Sequence, residues 1–408
     1  MEWKRMKRPN QKAMHTISQI IAFGLLIVCV AMPVSAMSDS SEIVTLDHAE
    51  EVAEYYVHYI PTFISDLSKW DDATVDYSMT FYDLDGNKSA YSFDVIDNGD
   101  YAGYILVSAT RNNYPILEFS EGTLPNTLGE AMSKSSSEIN EYAEENDLTV
   151  SDTKPLYLGG TFYYIEYSLT NSTEKVSETL LFDLVTSQTI SLEESENFAV
   201  TSADSIDSKL SEQKKSEANE LWSSLEERMT GNTMLSKVQS SKGLGWVDDV
   251  PAYEGEIGCA PTASAMVLGF WDGQGYSNFT NNESLLIEEL ADAMGTISPT
   301  TKVANIPGGI EDVCEYYGYD NFDSSNEYYV TWGETKSEID AGRPFVLSMI
   351  NGGTGSGHSQ PYNNHSVTCL GYSDYTEDYI FMHDTWDENT HHIAFGDWDR
   401  AHATWVIP

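Results

Sequence analysis

The chain has 408 residues and a formal net charge of −44, with 41% hydrophobic and 12% aromatic residues. That length admits two or three domains, and that apolar content supplies a packed core and excludes global disorder. A surface so acidic repels nucleic acid and anionic membranes, which removes both as partners of the mature chain.

The first residues read as an export leader. Lys4, Arg5, Lys7, Arg8 and Lys12 form a basic start, Ile20 to Met32 is an apolar run, and Val34-Ser35-Ala36 is a small-residue cleavage signal. Residues 1–36 are therefore expected to be a signal peptide, with a secreted or cell-surface product. The apolar run is short for a membrane span. Cys29 leaves with the leader. Cys259, Cys314 and Cys369 remain, an odd number that allows one disulfide at most and leaves a free thiol.

Residues 37–197 read as an α+β domain with an antiparallel sheet. Ala49, Val52, Ala53, Tyr56 and Ile60 share one face of a helix expected over Val44 to Phe63. Tyr91, Phe93 and Val95 alternate with polar residues, and Asp97-Asn98-Gly99-Asp100 is a hairpin turn leading into the strand Gly103 to Ala109. Tyr114 to Phe119 is a further extended piece. An acidic helix over Gly129 to Glu145 and strands at Phe162 to Leu169 and Glu178 to Leu184 complete the domain. Asp83-Leu84-Asp85-Gly86-Asn87 lacks the glycine position and closing Glu of a calcium loop, and is expected to be a turn. Residues 198–245, rich in Ser, Lys and Glu, read as a partly helical, exposed linker where proteolysis concentrates. A second compact domain is expected over 246–408.

Cys259 opens the chemistry. Gly258 precedes it, Pro261 suits the first turn of a helix, and Ala263, Met266, Val267 and Phe270 recur at helical spacing. A thiol at a helix start meets free N–H groups and the positive end of the helix dipole, which favour the thiolate. Cys314 and Cys369 lie in apolar stretches and read as core thiols.

A nucleophilic thiol needs a base and a group that orients the base. His365 begins one strand and Asp384 ends the next. An antiparallel hairpin centred near Asp374-Tyr375 sets residue 365 opposite residue 384, on one face. His358 is a rival base in the glycine-rich run 352–357. His383, His391, His392 and His402 show no compact partner set with ligand spacing, so neither a metal nor any other cofactor is expected.

In order, Gly258-Cys259-Ala260-Pro261-Thr262-Ala263, Gly342-Arg343-Pro344-Phe345-Val346-Leu347, His365-Ser366-Val367 with Gly371-Tyr372, and His383-Asp384-Thr385-Trp386 resemble the motifs of papain-like cysteine peptidases. The resemblance is to the family related to double-glycine leader peptidases of bacteriocin exporters, over about 246–408. It implies a papain-like domain with an N-terminal catalytic helix and an antiparallel sheet. In it Cys259 is the nucleophile, His365 the general base and later acid, and Asp384 the orienter. The family has Gln six residues before the Cys as an oxyanion donor; here Tyr253 stands there, with a hydroxyl that can donate in its place. Gly103 to Ala109 followed by Tyr114 to Ser120 is similar to propeptides and inhibitors of streptopain-type peptidases. That implies a zymogen, with the chain's own N-terminal domain as inhibitor. The expected function is thus an exported thiol protease hydrolysing peptide or protein substrates. A non-catalytic cleft that binds peptides or surface polymers, and a cysteine acyltransferase, are the alternatives.

Overall fold

Successive short turns, rather than long crossovers, link most of the strands, and the outcome is one large, mostly antiparallel sheet in an α+β fold. The computed structural model describes residues 42–125, 129–171, 176–191, 207–231, 243–255, 257–350 and 364–408. The leader, His358 with its glycine-rich run, and Glu256 lie outside them. No helix among the described residues is long and apolar enough to cross a membrane.

The first helix, α1 (Leu46–Tyr59), starts where the Thr45 hydroxyl accepts from His48 N–H, and it buries Ala49, Val52, Ala53, Tyr56 and Val57. Four strands follow: β1 (Thr74–Tyr82), β2 (Lys88–Asp97), β3 (Asp100–Ser108) and β4 (Ile116–Ser120). Asp83 to Asn87 is a turn closed by Asn87 N–H on the Asp83 carboxylate at 2.8 Å. Asn98 and Gly99 both take positive φ, 51° and 92°, which is what a two-residue turn between β2 and β3 requires. Helix α2 (Gly129–Glu145) leads to β5 (Thr149–Tyr157), β6 (Tyr163–Thr170), β7 (Val176–Asp183) and β8 (Gln188–Ser191). β1 and β5, for which the sequence set no expectation, are strands because the sheet supplies partners on either side.

Helix α3 (Asp207–Met229) occupies the segment expected to be an exposed linker. It is docked: Trp222 and Leu225 are fully buried in a core shared with α1, β2, β4 and Tyr379. The Trp222 indole donates to Asn113 O at 2.9 Å. Two large apolar residues one turn apart were enough to anchor a helix that is otherwise polar.

The C-terminal part contains the short β9 (Leu244–Trp246) and four helices: α4 (Cys259–Gly273), α5 (Glu283–Met294), α6 (Ile306–Tyr316) and α7 (Trp332–Asp340). Its remaining strands are β10 (Asp323–Tyr328), β11 (Phe345–Ile350), β12 (Asn364–Ser373), β13 (Tyr379–His383), β14 (Thr390–Ala394) and β15 (Arg400–Ile407). They run in the order β10-β15-β11-β12-β13-β14, and β14 then pairs with β4 of the N-terminal part. The sheet therefore has no seam between the two halves: His391 faces Ser120, His392 faces Phe119 and Ile393 faces Glu118.

The register between β12 and β13 differs from the expected hairpin. Ser373 pairs with Tyr379, centring the turn on Thr376, and a bulge at Leu370 shifts the pairing once more so that Thr368 faces His383. The expected register sets Phe381 opposite Thr368. The difference is two residues, an even number, so His365 and the end of β13 still share a face. The bulge restores the parity that the displaced turn alone removes.

Candidate active site

Cys259 is the first residue of α4, and Gly258 is its cap. A side chain at Gly258 would put its Cβ 2.8 Å from Pro299 O, so the helix can start here only with glycine. The helix is apolar all round and buried between α5 and the sheet. Thr262 Oγ1 returns to Gly258 O at 2.8 Å, and Thr368 Oγ1 donates to Ala263 O at 2.9 Å, fixing α4 against β12. The Cys259 sulfur is half-buried and accepts from Ser366 N–H at 3.4 Å. Ser366 follows His365, so the strand end that carries His365 also touches the thiol.

The thiol is held above its ordinary range. Burial is the main cause and Asp183 adds to it; the N–H groups of Ser366, Ala260 and Cys259 itself pull the other way. The helix start thus provides the expected donors, but here desolvation outweighs them. Cys314 and Cys369 are free and fully buried, and burial pushes both up to about 12.

His365 is 2% exposed, and its Nε2 lies 2.9 Å from the backbone carbonyl of Asp384. A carbonyl only accepts, so Nε2 carries the hydrogen and Nδ1 carries the lone pair. Nδ1 has no hydrogen-bond partner. That is the tautomer a base needs to take a thiol proton. Burial lowers the ring to about 4, so at neutral pH it is uncharged. The indole of Trp386 stacks on it, with ring centres 5.6 Å apart and planes inclined by 22°.

Asp384 meets His365 as expected, but through its main chain. Its carboxylate points elsewhere: Oδ1 accepts from Trp386 N–H at 3.1 Å, and Oδ2 lies 2.8 Å from His391 Nε2. The physical reason is charge. A fully buried carboxylate seeks a cation, and His391 offers one where a neutral His365 does not. Burial still raises Asp384 to about 6, against the lowering effect of His391.

Tyr253 does not reach an oxyanion at Cys259. A Cβ on Gly269 would lie 2.6 Å from the Tyr253 hydroxyl, and burial, then Glu283 and Asp272, raise that hydroxyl. Gly269 is ten residues along α4 from Cys259, about 15 Å at helical rise. The backbone two residues on is the part that approaches the site, with Gly255 N–H on Thr385 O at 3.3 Å.

Sequence reasoning set His391 aside for lack of neighbours. In space it has three: Asp384, Asp387 and Glu118. Ligand-type atoms of Asp384, Asp387 and His391 fall within 4.8 Å of one another. Both nitrogens of His391 face acceptors, however, and so carry hydrogens. That leaves no lone pair for a metal. Nothing in the sequence spacing signalled Glu118, 273 residues away in the chain yet one strand away in the sheet.

Residues 247–406 match the model of the Peptidase C39 like family. A solved structure of a prointerpain A fragment from Prevotella intermedia is similar at 10% identity and a TM-score of 0.35, covering 81% of this chain and 98% of that one. No curated protein matches the chain.

Proposed function

With residues 247–406 a Peptidase C39 like domain, we propose that the chain is an exported cysteine peptidase made as a latent proenzyme. The observation that carries this is the pair of contacts at the end of β12. Ser366 N–H touches the Cys259 sulfur, and His365, one residue before, keeps an unshared Nδ1 lone pair. In the reaction the Cys259 proton passes to His365 Nδ1 and the sulfur attacks the peptide carbonyl. His365 then protonates the leaving amine. Water, deprotonated by the same nitrogen, hydrolyses the thioester and restores the thiol. The Cys259 backbone N–H is the available oxyanion donor.

Latency is supported by what the N-terminal half contributes around each site residue. Asp183 raises the Cys259 thiol. Tyr163 stands edge-on to Trp386, which stacks on His365, at 6.3 Å between ring centres. Glu118 lies 3.6 Å from His391, which holds Asp384. Cutting between the halves, within the expected linker 198–245, would release all three. An iodoacetamide probe should label Cys259 in preference to Cys314 and Cys369 once the N-terminal half is removed, and C259A should abolish hydrolysis. Preferential labelling of Cys314 or Cys369 would sink the assignment.

A second reading, a non-catalytic cleft that binds peptides, is favoured by the position of Tyr253 away from the thiol. It predicts peptide binding with no turnover by the processed protein. Added amines would divert product to amides if the chain were an acyltransferase.

A further inference from the structure

His391 is fully buried on β14, outside the chemistry proposed above, and its hydrogens can be counted. Tyr104 has a single hydroxyl hydrogen, donated to Glu118 Oε1. Its oxygen, 2.9 Å from His391 Nδ1, is therefore the acceptor of an Nδ1–H. On the other side Nε2 sits 2.8 Å from Asp384 Oδ2 and 3.1 Å from Asp387 Oδ1. The hydrogen bond goes to Asp387 Oδ1 and Asp384 Oδ2 is paired by charge, so Nε2 carries a hydrogen as well. The ring is an imidazolium with Glu118 on one flank and Asp384 and Asp387 on the other. Tyr163 completes the Glu118 side, donating to Oε2 at 2.6 Å. The neighbouring rings of His383 and His392 are both depressed towards the neutral form, chiefly by burial, so neither competes as a cation for these carboxylates.

We propose that His391 is a positioning residue for Asp384: kept doubly protonated by Glu118 and Tyr104 of the N-terminal half, it holds the Asp384 carboxylate away from His365. The inference rests on Cys259 and His365 being the catalytic pair. Its logic is a competition between two imidazoles for one carboxylate. While Glu118 is present, the cation at 391 wins. When the N-terminal half leaves, Glu118, Tyr104 and Tyr163 leave with it. His391 loses one of its three counter-charges and keeps Asp387, and the Asp384 carboxylate becomes available to the Nε2–H of His365. A carboxylate there stabilises the imidazolium and with it the reactive thiolate. The N-terminal half reaches the site through Asp183, Tyr163 and Glu118; this exchange would explain how those contacts disarm it.

The test uses the full-length chain carrying ¹³C,¹⁵N-histidine. In the C259A background, the His391 ring, identified by its loss in H391Q, should show both nitrogens protonated at pH 7. In the same background with E118Q it should titrate at lower pH. A neutral His391 ring at pH 7, or one whose protonation ignores E118Q, overturns the proposal whatever the peptidase activity proves to be. With Cys259 present, E118Q should raise its iodoacetamide alkylation rate at pH 6 by about tenfold, the factor that corresponds to one pH unit of imidazolium stabilisation. An unchanged rate in folded E118Q overturns the link from His391 to His365. The first measurement needs no variant at Glu118 to fold, and a Cys259 unreactive in every variant and after processing would instead count against the peptidase reading.

Discussion

His365 and Asp384 meet ring to main chain: Nε2–H of the histidine donates to the aspartate's backbone carbonyl at 2.9 Å, while the aspartate's own carboxylate is turned to His391. The base is thereby held in the tautomer that accepts a thiol proton, but without the charge that would stabilise it once it has done so.

D384N separates these two contacts. The backbone carbonyl stays, so the His365 tautomer and the rate of Cys259 alkylation in the full-length protein should be unchanged. The buried cation at His391 loses its nearest partner, and breaking such a pair costs up to about 3–5 kcal/mol. Asp387 and Glu118 keep part of that compensation. Urea unfolding of D384N against the parent chain measures the loss, and equal midpoints would mean that the pair carries no net stability.

Acid should destabilise the fold through two buried neutral imidazoles. Burial depresses His365 to about 4 and His392 to about 3. Below pH 6.5 an unfolded chain protonates both rings and the folded chain does not, so stability falls as pH drops, by about 1.4 kcal/mol per pH unit for each ring. Asp384, raised to about 6, works the other way between pH 6 and 4, where the folded chain binds its proton first. His391, raised by its carboxylates, contributes stability below pH 6.5 that is lost as alkali deprotonates it. Substituting His392 by Phe should flatten the slope between pH 6 and 4 by about one proton. An unaltered slope in that variant would show that His392 does not carry it.

If the chain hydrolyses peptides as proposed, Tyr253→Phe should leave the rate within about twofold of the parent. The hydroxyl lies beside Gly269, far along α4 from Cys259. A true oxyanion donor at this position would cost about 10²–10³ in rate when removed, so kcat decides between the two.

Gly258→Ala forces a Cβ against Pro299 O, where 2.8 Å is too close for any carbon. The helix start must move or the Pro299 loop must give way. Overpacking of this kind costs about 1–3 kcal/mol. Thermal unfolding and Cys259 alkylation after processing should both report it, with the thiol displaced from Ser366 N–H.

Local physics made much of this chain legible in its sequence. Periodicity marks α1 and α2, the Asn98-Gly99 pair marks the β2–β3 turn, and a glycine ahead of Cys259 marks the start of α4, since each signal acts over a few residues. Cys259, His365 and Asp384 stand out as candidates by type and order. Their convergence survived a register error because the error was even and strand faces repeat every two residues. The rest depended on distance in the chain. The docking of α3 through Trp222, the retreat of Tyr253 along its helix and the continuation of β14 into β4 are set by packing between remote segments. Sequence spacing carries no record of those contacts. The orientation of the Asp384 carboxylate belongs with them. A buried charge goes to whichever partner best offsets its lost hydration. Here that partner, His391, lies 3.6 Å from Glu118, which only the continuous sheet brings alongside.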